Sequence, residues 1–178
     1  MNHSFAWIFV VMGLQRLFEL VISRRNRRAQ EALGGREYYP ETFPTVVVLH
    51  VLYFASLATE SYPWRLPLDT RTILCLSALA ILTGARYWCI ASLGSCWNVR
   101  IIVVPGGVVK RTGPYRYLRH PNYLVLVLEF LILPLLLRAP ATLVVFSLAN
   151  LAFLRQRIRL EEKALRESTD YGKVFPTS

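Results

Sequence analysis

The chain has 178 residues, 54% of them hydrophobic, with a mean hydropathy of +0.37 and a formal net charge of +10. That length suits one domain, but a soluble domain rarely combines such apolarity with long charge-poor runs. The arginines collect beside those runs, which points to anionic leaflets rather than nucleic acid, and Cys75, Cys89 and Cys96 form no CxxC pair or histidine cluster, which argues against a disulfide framework or a zinc site.

A membrane helix needs about 20 mainly apolar residues. The first such stretch is 4–23, "SFAWIFVVMGLQRLFELVIS". The preceding "MNHS" has no basic n-region and no small-residue cleavage site follows the run, so it reads as a retained span. Arg16 and Glu19 lie three apart on one face, where they can pair within the helix packing. "RRNRR" at 24–28 reads as a topology anchor, and "GGREYYPE" at 34–41 as a loop able to cover a site. The second span is 43–62, with His50 expected to be satisfied inside the bundle. The third is 72–93, where Arg86 either serves function or snorkels to the nearby interface. The last apolar run, 123–154, is too long for one span. Pro134 and "RAP" at 138–140 are expected to break it into a hairpin of 123–137 and 141–154.

The predicted architecture is therefore an all-α integral membrane protein, a single domain over 1–178 with five transmembrane helices. The segments 24–42, 94–121 and 155–178 carry most of the cations, and the opposite side holds only Arg65, Arg71 and Arg138. The positive-inside rule then puts the N-terminus outside and the basic segments in the cytoplasm. The polar pieces 94–122 and 155–178 meet at the mouth of the hairpin, which is where chemistry is expected.

In "RTGPYRYLRHPNY" (111–123), Gly113-Pro114 reads as a turn and Pro121 as the first turn of a helix. The free N–H groups and positive dipole end of that helix favour an anion, with His120 and Tyr123 flanking it. Tyr115, Arg116 and Tyr117 serve equally well as interfacial anchors. Upstream, "VVPGGVV" (103–109) has a Gly-Gly bend that can bring backbone at Val104 and Gly107 close to a ligand. In the tail, Leu154, Ile158, Glu161 and Leu165 share a helical stripe, so a carboxylate interrupts an apolar face. Arg157 is four residues before Glu161. As a solvated pair the two would contribute about 0.3–0.5 kcal/mol.

"GPYRYLRHPNY", an apolar hairpin and then R-x-x-x-E-E from Arg157 to Glu162 together resemble the isoprenylcysteine carboxyl methyltransferase family, integral membrane enzymes that use S-adenosylmethionine. Residues 86–123 also resemble its cytoplasmic segment, and the likeness covers somewhat more than the C-terminal half. It implies a five-span fold with the cofactor enclosed between this loop and the C-terminal helix. No GxGxxG follows a strand, so the soluble dinucleotide-fold route to that cofactor is absent. On this reading Glu161 or Glu162 receives the ammonium or ribose diol, and His120 with the Pro121 helix start holds the carboxylate or ribose. Val104 and Gly107 line the cofactor. Tyr123, Tyr117 or Trp97 faces the sulfonium, at roughly 0.5–2 kcal/mol each. Tyr171 packs back on the collar.

Methyl transfer needs position and electrostatics more than covalent chemistry. Arg157 is the first candidate to orient an anionic acceptor, then Arg86 and Arg100, with Trp97 and Asn98 as further acceptor contacts. Glu129, six residues into the fourth span, either pairs with an arginine or touches the acceptor. A neutral phenol would need a base, His120 or Glu129. The likeness to small bacterial relatives suggests an enol or phenol hydroxyl of an alkylpyrone- or alkylresorcinol-type lipid, methylated on the cytoplasmic face of a bacterial cell membrane. The alternatives are a prenylated cysteine carboxylate, a phospholipid amine, or a non-enzymatic membrane subunit whose collar only anchors lipid. A carrier is disfavoured by the lack of an inverted repeat. No metal and no nucleic acid is expected.

Overall fold

A computed structural model describes residues 2–175. Five long helices account for the five apolar segments: α1 (Trp7–Glu31), α2 (Thr42–Glu60), α3 (Thr70–Leu93), α4 (Pro121–Leu137) and α5 (Pro140–Ser168). A short α6 (Tyr171–Val174) follows. Three are long and apolar enough to cross a membrane: α2, α3 with the tight turn after it, and α5. By the same measure α4 is short, at 17 residues, and α1 does not qualify.

The low average hydropathy of α1 has a structural cause. Its outer face shows Trp7, Val10, Val11, Leu14, Leu17, Phe18 and Val21, each about half exposed or more. Its inner face buries Gln15, Glu19, Ser23, Asn26 and Gln30. Both sets recur every three or four residues, so the helix is amphipathic with its polar stripe inward and its apolar stripe outward.

The apolar run turns back on itself at 138–140 as expected, but Pro134 does not break it. α4 runs through it to Leu137 and turns at Arg138, which takes the left-handed conformation (φ +58°). A proline removes the N–H that would bond the carbonyl four residues back, here that of Phe130. Ser147 Oγ of α5 donates to that carbonyl at 3.3 Å, so the neighbouring helix supplies the missing partner. The last helix carries on past the predicted span end at 154, as the helical stripe from Leu154 to Leu165 implies. It continues unbroken to Ser168, carrying Arg157, Glu161 and Glu162 on the same rod as the apolar span.

Four three-residue strands, none of them predicted, form two antiparallel pairs. β1 (Asn2–Ser4) pairs with β3 (Arg65–Pro67), and β2 (Arg36–Tyr38) pairs with β4 (Ile101–Val103), Tyr38 lying opposite Ile101. The second pair belongs to the site. Ile101 and Val103 pack on Ala164 of α5, with Tyr38 and Tyr39 against them.

α3 packs on α4, and α5 on both α4 and α2. The centre is a Tyr53–Phe130 stack at 4.1 Å, surrounded by fully buried Leu57, Leu133, Leu136 and Leu137. Capping is clear at the end away from the collar. Asp69 accepts from Thr72 N at 2.8 Å at the start of α3, and Glu60 from α2 accepts from Ala141 N at 2.8 Å and Thr142 N at 2.7 Å at the start of α5.

Candidate active site

The collar is folded tightly against α3. Gly113 has φ +53°, and a Cβ there would lie 2.1 Å from Ser92 Oγ and 3.0 Å from Trp88 Nε1, so only glycine permits the approach. Thr112 Oγ1 donates to Ser92 O and Lys110 Nζ to Leu93 O, each at 2.8 Å. So anchored, the chain enters α4 at Pro121, and the His120 carbonyl accepts from Tyr123 N and Leu124 N.

Two side chains of this helix start reach α5. His120 Nε2 lies 3.0 Å from Glu162 Oε1, and Tyr171 OH donates to the same oxygen at 3.0 Å. Tyr123 OH donates a short hydrogen bond to Glu161 Oε2 and accepts one from Arg157 Nε at 3.0 Å. The rings of His120 and Tyr123 stack with centroids 5.5 Å apart. Arg157 is buried, and its other nitrogens donate to Val99 O and, at 3.3 Å, to Thr42 Oγ1. Arg157 and Glu161 are therefore not a solvated surface pair, since the Tyr123 hydroxyl joins them inside the protein. Burial, and then the Glu162 carboxylate, pushes the Tyr171 phenol above its ordinary pKa, and burial chiefly does the same to Tyr115.

Deeper in the bundle, four charges from three helices form one ion-paired set. Arg86 of α3 donates to both oxygens of Glu19 and lies 3.3 Å from Glu129 Oε2. Arg16 bonds Glu19 at 3.0 Å and Glu129 at 2.5 Å. Arg86 is 5% exposed, so it does not snorkel to the interface. Two arginines against two carboxylates leave the set neutral, which is how buried charge is tolerated.

The polar stripe of α1 continues from this cluster. Ser23 Oγ donates to Asn98 Oδ1 at 2.7 Å and accepts from Val99 N at 3.1 Å. Asn26 Nδ2 donates to Gly94 O at 3.0 Å and to Trp97 O at 2.8 Å. Gln30 Oε1 accepts from Asn98 Nδ2 at 2.7 Å. Sequence reasoning missed this stripe. Its signal was an uncharged or acidic polar residue at every third or fourth position from Gln15 to Gln30, first in an apolar run and then among arginines.

All of this surrounds one cavity of about 670 Å³. At one end it is walled by the 97–110 segment, the collar and α5. At the other it runs between α1 and α2, past Phe9, Gly13, Val47, Val51 and Phe54. Residues 73–167, which build most of these walls, match the family model for the isoprenylcysteine carboxyl methyltransferase (ICMT) family. The chain belongs to the isoprenylcysteine carboxyl methyltransferase family. It is 35% identical over 162 residues to "Uncharacterized protein YpbQ" of Bacillus subtilis (strain 168), covering 90% of this chain and 96% of that one. It is 28% identical over 178 residues to an "Uncharacterized protein" of Haemophilus influenzae, covering 99% and 98%. No solved structure matches.

Within the isoprenylcysteine carboxyl methyltransferase family the members are methyltransferases, and the apolar helices agree with a membrane methyltransferase here. The matched residues take in Arg86, the collar, Glu129, Arg157, Glu161 and Glu162, whereas Arg16, Glu19, the α1 stripe and His50 lie outside them. Of the expected site residues, His120, Tyr123, Glu161, Val104, Gly107, Trp97, Asn98, Arg100, Arg86 and Arg157 line the cavity. Pro121 begins α4 without lining it, and Glu162 is reached through His120 and Tyr171. Glu129 sits behind Arg16 and Arg86. Arg100 pairs with Glu37 at 2.6 Å and lies over the Phe43 ring. Tyr117 is 82% exposed and does not line the cavity, whereas Tyr115, two residues earlier, does. Asn122 was overlooked. It lines the cavity with a buried Oδ1 that has no partner. Among the described residues no group of His, Cys, Asp or Glu gathers as metal ligands.

Proposed function

We propose that this protein is an integral membrane, S-adenosylmethionine-dependent O-methyltransferase that modifies the enol or phenol hydroxyl of a lipophilic acceptor of alkylpyrone or alkylresorcinol type. The observation that carries this reading is the continuity of the cavity. One end is closed by the His120–Glu162 and Tyr123–Glu161 links, and the other lies between two helices with apolar outer faces. A polar cofactor and a lipophilic acceptor can thus meet in one space.

Five spans complete the reading. α1 presents an apolar outer stripe to lipid although its average is low, and α4 is sheltered by α3 and α5. The collar, the β2–β4 pair and α6 share one end with the "RRNRR" run, and Arg65, Arg71 and Arg138 fall at the other. This supports a cytoplasmic site in a bacterial cell membrane.

The residues fit the cofactor. The unpartnered Asn122 Oδ1 and the Glu161 carboxylate suit an ammonium, an amine or a ribose diol. The first N–H groups of α4 suit a carboxylate. The cavity is in the range for ligands of this size. S-adenosylmethionine, when bound, supplies an electrophilic methyl on a sulfonium.

The chain's own residues hold and orient the acceptor. Arg157 has its three nitrogens fixed by Tyr123, Thr42 and Val99, which leaves two of its five N–H groups for an acceptor oxygen. An enol or phenol that arrives ionised needs nothing more. One that arrives protonated gives its proton to His120. The Nε2 of that ring faces the Glu162 carboxylate and carries the proton there, leaving Nδ1 as the base. Glu129, held by two arginines, is not placed for that role.

The test is calorimetric titration of S-adenosylhomocysteine into detergent-purified protein, beside His120→Ala and Glu161→Ala. Wild type binds and Glu161→Ala loses at least about tenfold, the worth of one charge-assisted hydrogen bond, whereas His120→Ala, which removes the base on the acceptor side, keeps the cofactor product bound. A folded wild type that does not bind the cofactor product ends this reading.

A further inference from the structure

The deep half of the cavity carries a polar group that methyl transfer, as read above, leaves unused. His50 sits in the middle of α2, edge-on to Phe130 with ring centroids 5.3 Å apart, and lines the cavity. Its Nδ1 lies 2.8 Å from Val46 O. A carbonyl can only accept, so Nδ1 carries the proton, and in the neutral ring Nε2 is then an acceptor. No described residue donates to that nitrogen.

Arg16 lines the same stretch of cavity, and Arg86 lies behind it. These groups lie in the layer of Glu129 and Phe130, six and seven residues into α4 beyond Tyr123. At 1.5 Å per residue that is about 9 Å deeper than the Tyr123 hydroxyl that joins Arg157 and Glu161. A plain alkyl or prenyl tail running from the cofactor end into the α1–α2 gap would lie across this polar belt and leave His50 without a donor. A tail with its own hydroxyl would donate to Nε2, and its oxygen could accept from the Arg16 guanidinium.

We infer that the layer of His50 and Arg16 is a second acceptor subsite, and that the acceptor carries a hydroxyl on its apolar portion in addition to the oxygen that is methylated. The inference rests on the methyltransferase reading for the identity of the ligand, but the subsite stands on its own geometry. It lies mainly on α1 and α2, outside the residues that match the family. A site built to bond a substrate hydroxyl rejects the analogue lacking it far more strongly than an apolar pocket rejects a changed methylene.

The experiment is a binding series in lipid nanodiscs. The ligands are 5-pentadecylresorcinol, its analogues with one hydroxyl at successive side-chain carbons, and the ketones at the same carbons. Dissociation constants are measured for wild type, His50→Phe and His50→Gln, with S-adenosylhomocysteine titrated separately into each. One hydroxyl position is expected to bind wild type at least tenfold tighter than the plain chain, with its ketone, which can accept from Arg16 but cannot donate to His50, keeping only part of that gain. His50→Phe abolishes the hydroxyl's advantage over its ketone, and His50→Gln, which keeps an acceptor, retains part of it. A flat series, or an advantage over the ketone that survives in His50→Phe, overturns the subsite. Failure of S-adenosylhomocysteine to bind ends the methyltransferase reading instead, and the hydroxyl series still decides the subsite.

Discussion

A single phenol oxygen joins the two halves of the candidate site. Tyr123 OH accepts from Arg157 and donates to Glu161, and neither partner meets the other directly. Tyr123→Phe removes both bonds while keeping the ring, and leaves a guanidinium nitrogen and a carboxylate oxygen unpaired. We expect a loss of about 1–3 kcal/mol in stability, read by denaturant or thermal melting, with cofactor binding weakened alongside. Tyr171 gives a pH-dependent counterpart. Its phenol is raised above its ordinary pKa, first by burial and then by Glu162. A group raised on folding contributes stability that is full below its unfolded pKa, about 10, and is lost as the pH climbs toward the native value. The melting temperature of wild type should therefore fall more steeply above about pH 10 than that of Tyr171→Phe. Equal slopes would remove Tyr171 from this account.

At the scale of elements, α1 works as a clip. Ser23, Asn26 and Gln30 bond the 94–99 backbone and Asn98, and the Val99 carbonyl in turn receives Arg157. Asn26→Leu should cost about 1–3 kcal/mol, because the buried Trp97 carbonyl and the half-buried Gly94 carbonyl lose their donor, and it should weaken acceptor binding although Asn26 lies outside the cavity wall. Ser147 offers a cleaner cycle. Ser147→Ala removes the donor to the Phe130 carbonyl, at about 0.6–1.7 kcal/mol. In a Pro134→Ala background the restored backbone amide takes that carbonyl, so the second substitution should cost almost nothing. Additive costs would show that Ser147 does not compensate for the proline.

For the molecule as a whole, the proposed cytoplasmic placement of the site can be checked with the native cysteines. Cys96 is exposed at the collar end, Cys89 is buried and Cys75 is half-buried in α3. A membrane-impermeant maleimide should label Cys96 in inside-out vesicles and not in intact cells; the opposite pattern would invert the topology. Much of this end of the molecule was legible in the sequence. Collar, hairpin and R-x-x-x-E-E follow one another along the chain, so a helix start, a turn and a helix suffice to bring His120 and Glu162 together. What escaped depends on contacts distant in sequence. The three-residue strands are too short for a periodic signal, as β2 against β4 shows. Whether Tyr115 or Tyr117 turns inward is decided by the bend at Gly113, which composition does not reveal. The pairing of Arg16 with Glu129 spans 113 positions.

The inverted amphipathicity of α1 also bears on how the chain reaches its membrane. Arg16 and Glu19 emerge from the ribosome long before Arg86 and Glu129, and Ser23, Asn26 and Gln30 precede the 94–99 backbone that satisfies them. Until α3 and α4 arrive, the first helix has an oily side suited to lipid and a polar side that, beyond the Arg16–Glu19 pair within the helix, lacks its partners. On the proposed five-span reading it is therefore a poor candidate for independent insertion and a good one for resting at the bilayer surface, to be drawn across once its partners are made. On that reading α1 would take its final place after α3 and α4, although it precedes both along the chain.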